Sequence, residues 1–301
     1  MRAFGQDLVV VTGKGGVGKS TVAAALGLAA ARRGLRTIVA EVAARDDVSR
    51  ALAGSGTRPF EERAVADNLF HISIDPERAM EEYLVDQLPV RALADVLTSS
   101  RLFTYLAAAT PGMRELLTMG KVWELAQGRR RTPGARPYDL VVLDAPATGH
   151  GVAVLAAPRT FADAARVGPV ARQGRTIHEM VADPERTGVI AVATAEEMPV
   201  NETLSLREAL RDDLGLELDA VVVNALLPDR FSAQDAAALA ARPGRAARVA
   251  GSLHARAQAQ HEQLERLRAG LDGVPVRTLP FVVAAELGPG ELAQLAGELA
   301  P

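Results

Sequence analysis

Residues 13 to 21 read Gly-Lys-Gly-Gly-Val-Gly-Lys-Ser-Thr, with four glycines in nine positions. No other stretch restricts the fold as much. Glycine run this densely breaks a helix or strand, and marks a turn whose backbone adopts conformations other residues resist. What flanks it decides the kind of turn. Leu8-Val-Val-Val-Thr12 precedes it, a short apolar run suited to a strand buried on both faces of a parallel sheet. Ser20 to Arg33 follows, rich in alanine and leucine and closed by Gly34, which reads as a helix with its stop signal. Thr37-Ile-Val-Ala40 is the next strand, completing a strand–loop–helix–strand unit.

The pattern continues. Leu69 to Ile74, Asp139 to Leu143, Gly188 to Thr194, Ala220 to Val223 and Val276 to Leu279 read as further strands, most of them separated by segments of helical composition. This alternation predicts an α/β fold with a doubly wound, mostly parallel sheet. Residues 76 to 130 contain no convincing strand. Met80, Leu84 and Leu88, then Leu93, Val96 and Leu97, then Leu116, Met119 and Trp123 recur at helical spacing. We read 76–130 as a helical lobe inserted into a single domain spanning 1–301. Residues 232 to 271 are also helical in pattern, broken at Pro243-Gly244. The loop Gly128-Arg-Arg-Arg-Thr-Pro-Gly134 returns the chain to the sheet; its arginines could meet a phosphate or an acidic partner, but a solvated loop is the plainer reading.

Composition narrows the partners. With 301 residues, 48% hydrophobic and 24% charged, the chain can bury a full core. A net charge of −3 gives no basic field for nucleic acid. The absence of cysteine excludes disulfides, thiolate zinc sites and thiol-based metalloid binding. No apolar h-region precedes the first strand and no apolar run is long enough to span a bilayer, so a cytoplasmic protein with at most peripheral membrane contact is expected.

Gly13-x4-Gly18-Lys19-Ser20 fits the phosphate-binding loop. Backbone N–H groups of Gly13, Lys14, Gly15, Gly16, Val17 and Gly18 can converge on phosphate oxygens, and the helix that follows adds its positive end. Lys19 can reach β- and γ-phosphates, the Ser20 hydroxyl can ligate Mg²⁺, and Thr21 is placed for the α-phosphate. A metal-bound triphosphate also needs a carboxylate at the end of a neighbouring strand. Tyr138-Asp-Leu-Val-Val-Leu-Asp144 supplies one in Asp144, whose alternative role is a strand-end cap. The following Ala-Pro-Ala-Thr-Gly-His150 reads as a small loop able to move with the γ-phosphate.

One lysine suffices for such a loop, yet Lys14 is a second. The sequence resembles the deviant phosphate loop, K-G-G-x-G-K-[ST], of the SIMIBI-class ATPases. That resemblance implies ATP and Mg²⁺ as ligands, a sheet of P-loop NTPase type, and a Lys14 that reaches across a dimer interface to the other subunit's phosphates; a solvent-exposed lysine is the alternative. Within the class, Asp144-Ala-Pro-Ala-Thr-Gly-His150 is similar to the second switch, D-x-A-P-T-G-H, of the arsenite-pump ATPase family, which includes the ATPase of guided entry of tail-anchored proteins. Glu197-Met-Pro-Val-Asn-Glu-Thr203 and Pro111-Gly-Met-Arg-Glu115 resemble further segments of that family. Val221-Val-Val-Asn224 is similar to its adenine-recognition strand, with Asn224 either on adenine or simply a turn residue. His150 matches a histidine that the family carries.

Where the family's first switch reads D-P-A-H, this chain reads Glu41-Val-Ala-Ala-Arg45. Glu41 is expected to stand in for the water-positioning aspartate, at reduced rate, with Asp46 and Asp47 as fallbacks. The resemblance implies a homodimer, or a heterodimer with a related ATPase, held without the paired cysteines that bridge some members through zinc. It also implies a helical lobe that could take an apolar client helix through Met80, Met113, Met119, Phe103, Tyr105, Leu106 and Trp123, although such residues must pack an apolar face in any case. Two other readings are a hydrolysis-poor regulatory subunit and a membrane-positioning or partition ATPase. The acidic tail, Glu291 to Pro301, carries no Lys or Arg and argues against the latter.

Overall fold

The computed structural model describes residues 2–42, 45–56, 58–87, 110–132, 134–165 and 167–300. Strands β1 (Leu8–Gly13), β2 (Thr37–Val42), β3 (Arg63–Ala66), β4 (Leu69–Ile74), β5 (Leu140–Ala147), β6 (Thr187–Thr194), β7 (Ala220–Leu226) and β8 (Val276–Pro280) form one sheet in the order β3-β4-β2-β5-β1-β6-β7-β8. Neighbours run parallel except β3, which is antiparallel to β4. The apolar run of β1 is buried at every position because helices cover both faces. Val9 and Val11 face a layer containing α1 (Lys19–Arg32), α2 (Asp47–Ala53) and α10 (Pro289–Leu299). Leu8 and Val10 face the opposite core, shared with α4 (Met113–Leu125), α5 (Thr148–Ala165), α6 (Pro169–Ala182), α7 (Glu197–Ala209) and α9 (Arg245–Gly270). α3 (Pro76–Gln87) packs beside α4, and α8 (Ala233–Ala240) beside α9.

The strands read from the sequence are present, along with one that it does not announce. β3 is Arg-Ala-Val-Ala, largely exposed, so it lacks the apolar signal. It exists because Asp67-Asn68 makes a two-residue hairpin turn, with Asn68 at φ 55°, and folds it onto β4. The register sets Val11 of β1 and Glu41 of β2 on either side of Asp144 of β5. The phosphate loop, the end of β2 and the end of β5 therefore share one edge of the sheet, where open α/β sheets bind ligands.

α3 and α4 occupy the segment read as a lobe; Leu88, Leu93, Val96, Leu97, Phe103, Tyr105 and Leu106 lie outside the described residues. α4 is not an appendage. Leu116, Met119, Val122 and Leu125 are buried in the core against the sheet. Met119 and Met80 are buried and Met113 and Trp123 half-buried, so these four side chains serve packing first. No described helix is long and apolar enough to cross a membrane.

The arginine loop differs from the solvated reading at its centre. The Arg130 side chain is wholly buried, where it donates from Nε to Glu124 Oε1 at 2.9 Å and from Nη2 to Glu62 Oε1 at 2.5 Å. Lys121 joins from the other side, donating to Glu124 at 3.1 Å and to Glu82 at 2.9 Å. Tyr138 donates to Glu62 at 2.8 Å. Burial alone would raise the Glu124 pKa, but hydrogen bonds and charge from Arg130 and Lys121 outweigh it and hold the carboxyl below its ordinary value.

Candidate active site

The loop from Gly13 to Gly18 is shaped by two close approaches. Gly13 has φ 147°, and a Cβ there would lie 2.2 Å from the Val192 carbonyl oxygen. Gly18 has φ 90° and caps α1; its Cβ would lie 2.2 Å from the Asn224 amide nitrogen. Val17 is buried beneath the loop, while Gly15 and Gly16 face solvent. Lys19 opens α1, and its Nζ curls back to donate to the Lys14 carbonyl at 3.2 Å. Burial lowers its pKa; the charge of Asp144 opposes this and that of Arg45 adds to it. The unpaired N–H groups of the first turn of α1 point the same way, so loop and helix form an anion cradle.

Ser20 Oγ donates to Asp144 Oδ2 at 2.6 Å, which links the start of α1 to the end of β5. Asp144 is 2% exposed, and its other oxygen, Oδ1, has no hydrogen-bond partner among the described residues. An orphaned carboxylate oxygen beside a serine hydroxyl fits Mg²⁺, which binds through few protein groups and takes its remaining ligands from phosphate and water. Burial pushes the Asp144 carboxyl up to about 6; the Ser20 bond opposes this, Glu41 adds to it, and Arg45 and Lys19 oppose.

That shift has a stability consequence. Between an unfolded value of 3.8 and a folded value of about 6, the folded chain binds more protons, so this group's contribution worsens as pH rises through the window. Asp144→Asn keeps an acceptor for Ser20 without the buried charge. It is expected to stabilise the ligand-free protein by about 2 kcal/mol at pH 7.5 and far less at pH 4, read by urea unfolding at both.

The structure places the other expected residues as follows. Lys14 pairs with Glu202 of α7. Glu202 also accepts from Thr148 Oγ1 at 3.4 Å, so one carboxylate touches both the phosphate loop and the start of α5. Thr21 is half-buried in the first turn of α1. Asn224 donates to the Val17 carbonyl at 3.0 Å and braces the loop from below. The stretch after Asp144 is not a loop: β5 runs to Ala147 and α5 starts at Thr148, because the small residues permit a direct strand-to-helix junction. His150 is exposed in that first turn.

Glu41 departs furthest from its expected role. It is fully buried, and its Oε2 accepts from the Val48 N–H at 2.9 Å and meets His71 Nε2 at 2.8 Å. Oε2 thus anchors the start of α2 to the sheet, while Oε1 is buried with no hydrogen-bond partner among the described residues. Asp46 pairs with Arg50, and Asp47 with Arg45. Two site residues escape a linear reading. Glu202 meets Lys14 from 188 positions away, and nothing local marks it. Arg45 reaches Ser20 Oγ at 3.1 Å; its only sequence signal is a cation just beyond a strand that ends at the ligand edge.

The profile of the anion-transporting ATPase family matches residues 6–168 and 164–300. The chain belongs to that family. It is 31% identical over 243 residues to ATPase BagA of Mycobacterium tuberculosis, covering 78% of this chain and 70% of that protein. It is 27% identical over 295 residues to an arsenical pump-driving ATPase of Acidiphilium multivorum, covering 89% of this chain and 45% of the relative. A putative arsenical pump-driving ATPase of Halobacterium salinarum is 30% identical over 234 residues, covering 73% and 35% respectively. The chain thus spans less than half the length of these two pump-driving relatives. Family membership supports ATPase activity in general terms.

Proposed function

We propose that this family member binds Mg-ATP at the Gly13–Thr21 loop, hydrolyses it as a dimer, and couples the cycle to movement of its helical segment. The observation that carries the reading is the 2.6 Å bond from Ser20 to Asp144, which puts the expected metal hydroxyl and carboxylate together beside Lys19. Lys19 would neutralise β- and γ-phosphate oxygens, Thr21 would meet the α-phosphate, and Ser20 with Asp144 would hold Mg²⁺, which supplies charge neutralisation at the leaving phosphate. Asn224 lies at the end of β7 beside the loop, within reach of a base once it releases Val17.

Lys14 is held in cis by Glu202. For it to serve a second subunit, that pair must open, which gives closure of two copies a defined switch: Glu202 and Thr148 exchange partners as Lys14 leaves. The apolar client helix and the choice between homodimer and heterodimer belong to the same proposal.

The test is phosphate release against protein concentration. Specific activity should rise with concentration, and Lys14→Ala should reduce it by about 100-fold. Mixing Lys14→Ala with an excess of a Lys19→Ala partner that retains Lys14 should restore a large part. A first-order rate independent of concentration, with no rescue, would reject action in trans. The anchored Glu41 favours one second reading, a subunit that binds ATP but hydrolyses it poorly without a paralogue. Undetectable turnover with intact ATP binding would select it.

A further inference from the structure

Arg45 lies between the end of β2 and the start of α2, at the sheet edge that carries the phosphate loop. Its Nη2 donates to Ser20 Oγ at 3.1 Å, and Ser20 Oγ donates onward to Asp144. Its Nε donates to Asp47 Oδ2 at 3.1 Å, and Nη2 also pairs with that carboxylate. The guanidinium therefore stands one hydrogen bond from the serine in the first turn of α1, close enough that its charge is felt by both Lys19 and Asp144.

The cation supply of the site makes this position matter. Asp144, Asp47 and the buried Glu41 crowd one side, Lys14 is tied to Glu202, and Lys19 is the cation turned into the loop. A triphosphate arriving there brings several negative charges. Arg45 has little to hold it back. Its side chain is 45% exposed and that of Asp47 54% exposed, and an ion pair between groups so open to water is weak. A phosphate offers the planar fork of a guanidinium two oxygens at once.

We infer that Arg45 is a terminal-phosphate contact supplied in cis: its guanidinium, seated on Asp47 and Ser20, transfers to oxygens of the γ-phosphate on ATP binding. The inference rests on the ATP reading of the loop and adds to it a residue outside the loop motif. It also assigns Asp47 a role, as the anion that competes with nucleotide for Arg45. Arg45 thereby distinguishes ATP from ADP, because only the longer nucleotide carries the group it meets.

The experiment is equilibrium binding of ATP and ADP, each with Mg²⁺, by titration calorimetry. Arg45→Ala should weaken ATP about 10- to 100-fold and ADP less than about threefold. Arg45→Lys should fall between, as a point charge without the fork. Asp47→Asn should tighten ATP by about two- to fivefold, because the competitor is gone; this variant tests the same exchange without removing the arginine. ATP affinity unchanged in Arg45→Ala, or ATP and ADP weakened equally, overturns the inference while leaving the loop reading intact. Wild-type protein that binds neither nucleotide, or Lys19→Ala that binds ATP as well as wild type, overturns the loop reading and the role of Arg45 with it.

Discussion

Lys19→Ala is expected to weaken Mg-ATP binding by more than about 100-fold, the largest single effect on ligand affinity in this protein. Lys19 Nζ is a cation inside the loop, and its hydrogen bond to the Lys14 carbonyl is a weak tether at 3.2 Å. The shape of the loop comes from elsewhere: Val17 buried beneath it, Asn224 on the Val17 carbonyl, and glycines at the two tight approaches. Removing the ammonium should therefore leave the fold in place and remove the charge that faces the phosphates. Thermal unfolding of Lys19→Ala should stay within a few degrees of wild type while calorimetry shows no ATP binding at micromolar concentrations. Retained micromolar affinity would show that the loop binds phosphate by its backbone alone, or not here.

The largest loss of stability is expected from Glu124→Ala. This carboxylate accepts from Lys121, from Arg130 and from the Arg131 N–H, the last at 3.1 Å, all in the buried region between α4 and the sheet. Taking it away leaves two buried cations sharing Glu62 and Glu82, each of which is partly exposed. Breaking a buried pair from one side costs about 3–5 kcal/mol, so the urea midpoint should fall sharply. The pH dependence has a definite sign. Because the folded pKa of Glu124 is depressed, its contribution is present above the ordinary glutamate pKa and is lost as pH falls through the folded value. Wild type and Glu124→Ala should therefore converge in acid. A difference that persists unchanged to pH 2 would attribute the loss to packing.

The sequence carried the part of this site that the backbone builds locally. The glycine loop, Lys19 and Ser20 adjoin one another, and Asp144 follows an apolar strand that β1 must have as a neighbour. Those strands were legible because burial on both faces leaves continuous valine and leucine runs. β3 was not, since an exposed edge strand has no apolar face to advertise. The partners of Glu41 are hidden in the sequence for a related reason. A strand-end carboxylate looks the same in sequence whether it turns towards the ligand or inward, and only His71 on β4 and the N–H of Val48 decide that it turns inward. Glu202, Arg45 and the burial of Arg130 depend on contacts between elements distant in the chain, for which a single sequence offers residue types and no distances.

The setting of α1 has a kinetic meaning. From Val22 to Ala31 the helix is buried throughout, closed in by the sheet on one side and by α10 on the other. Amide hydrogens there are expected to exchange with deuterated water chiefly through global opening, which native-state hydrogen exchange would check. The cradle is mounted on that buried helix, and the groups able to rearrange around it, Arg45 and Lys14, are side chains whose partners can be traded while that mount stays shut.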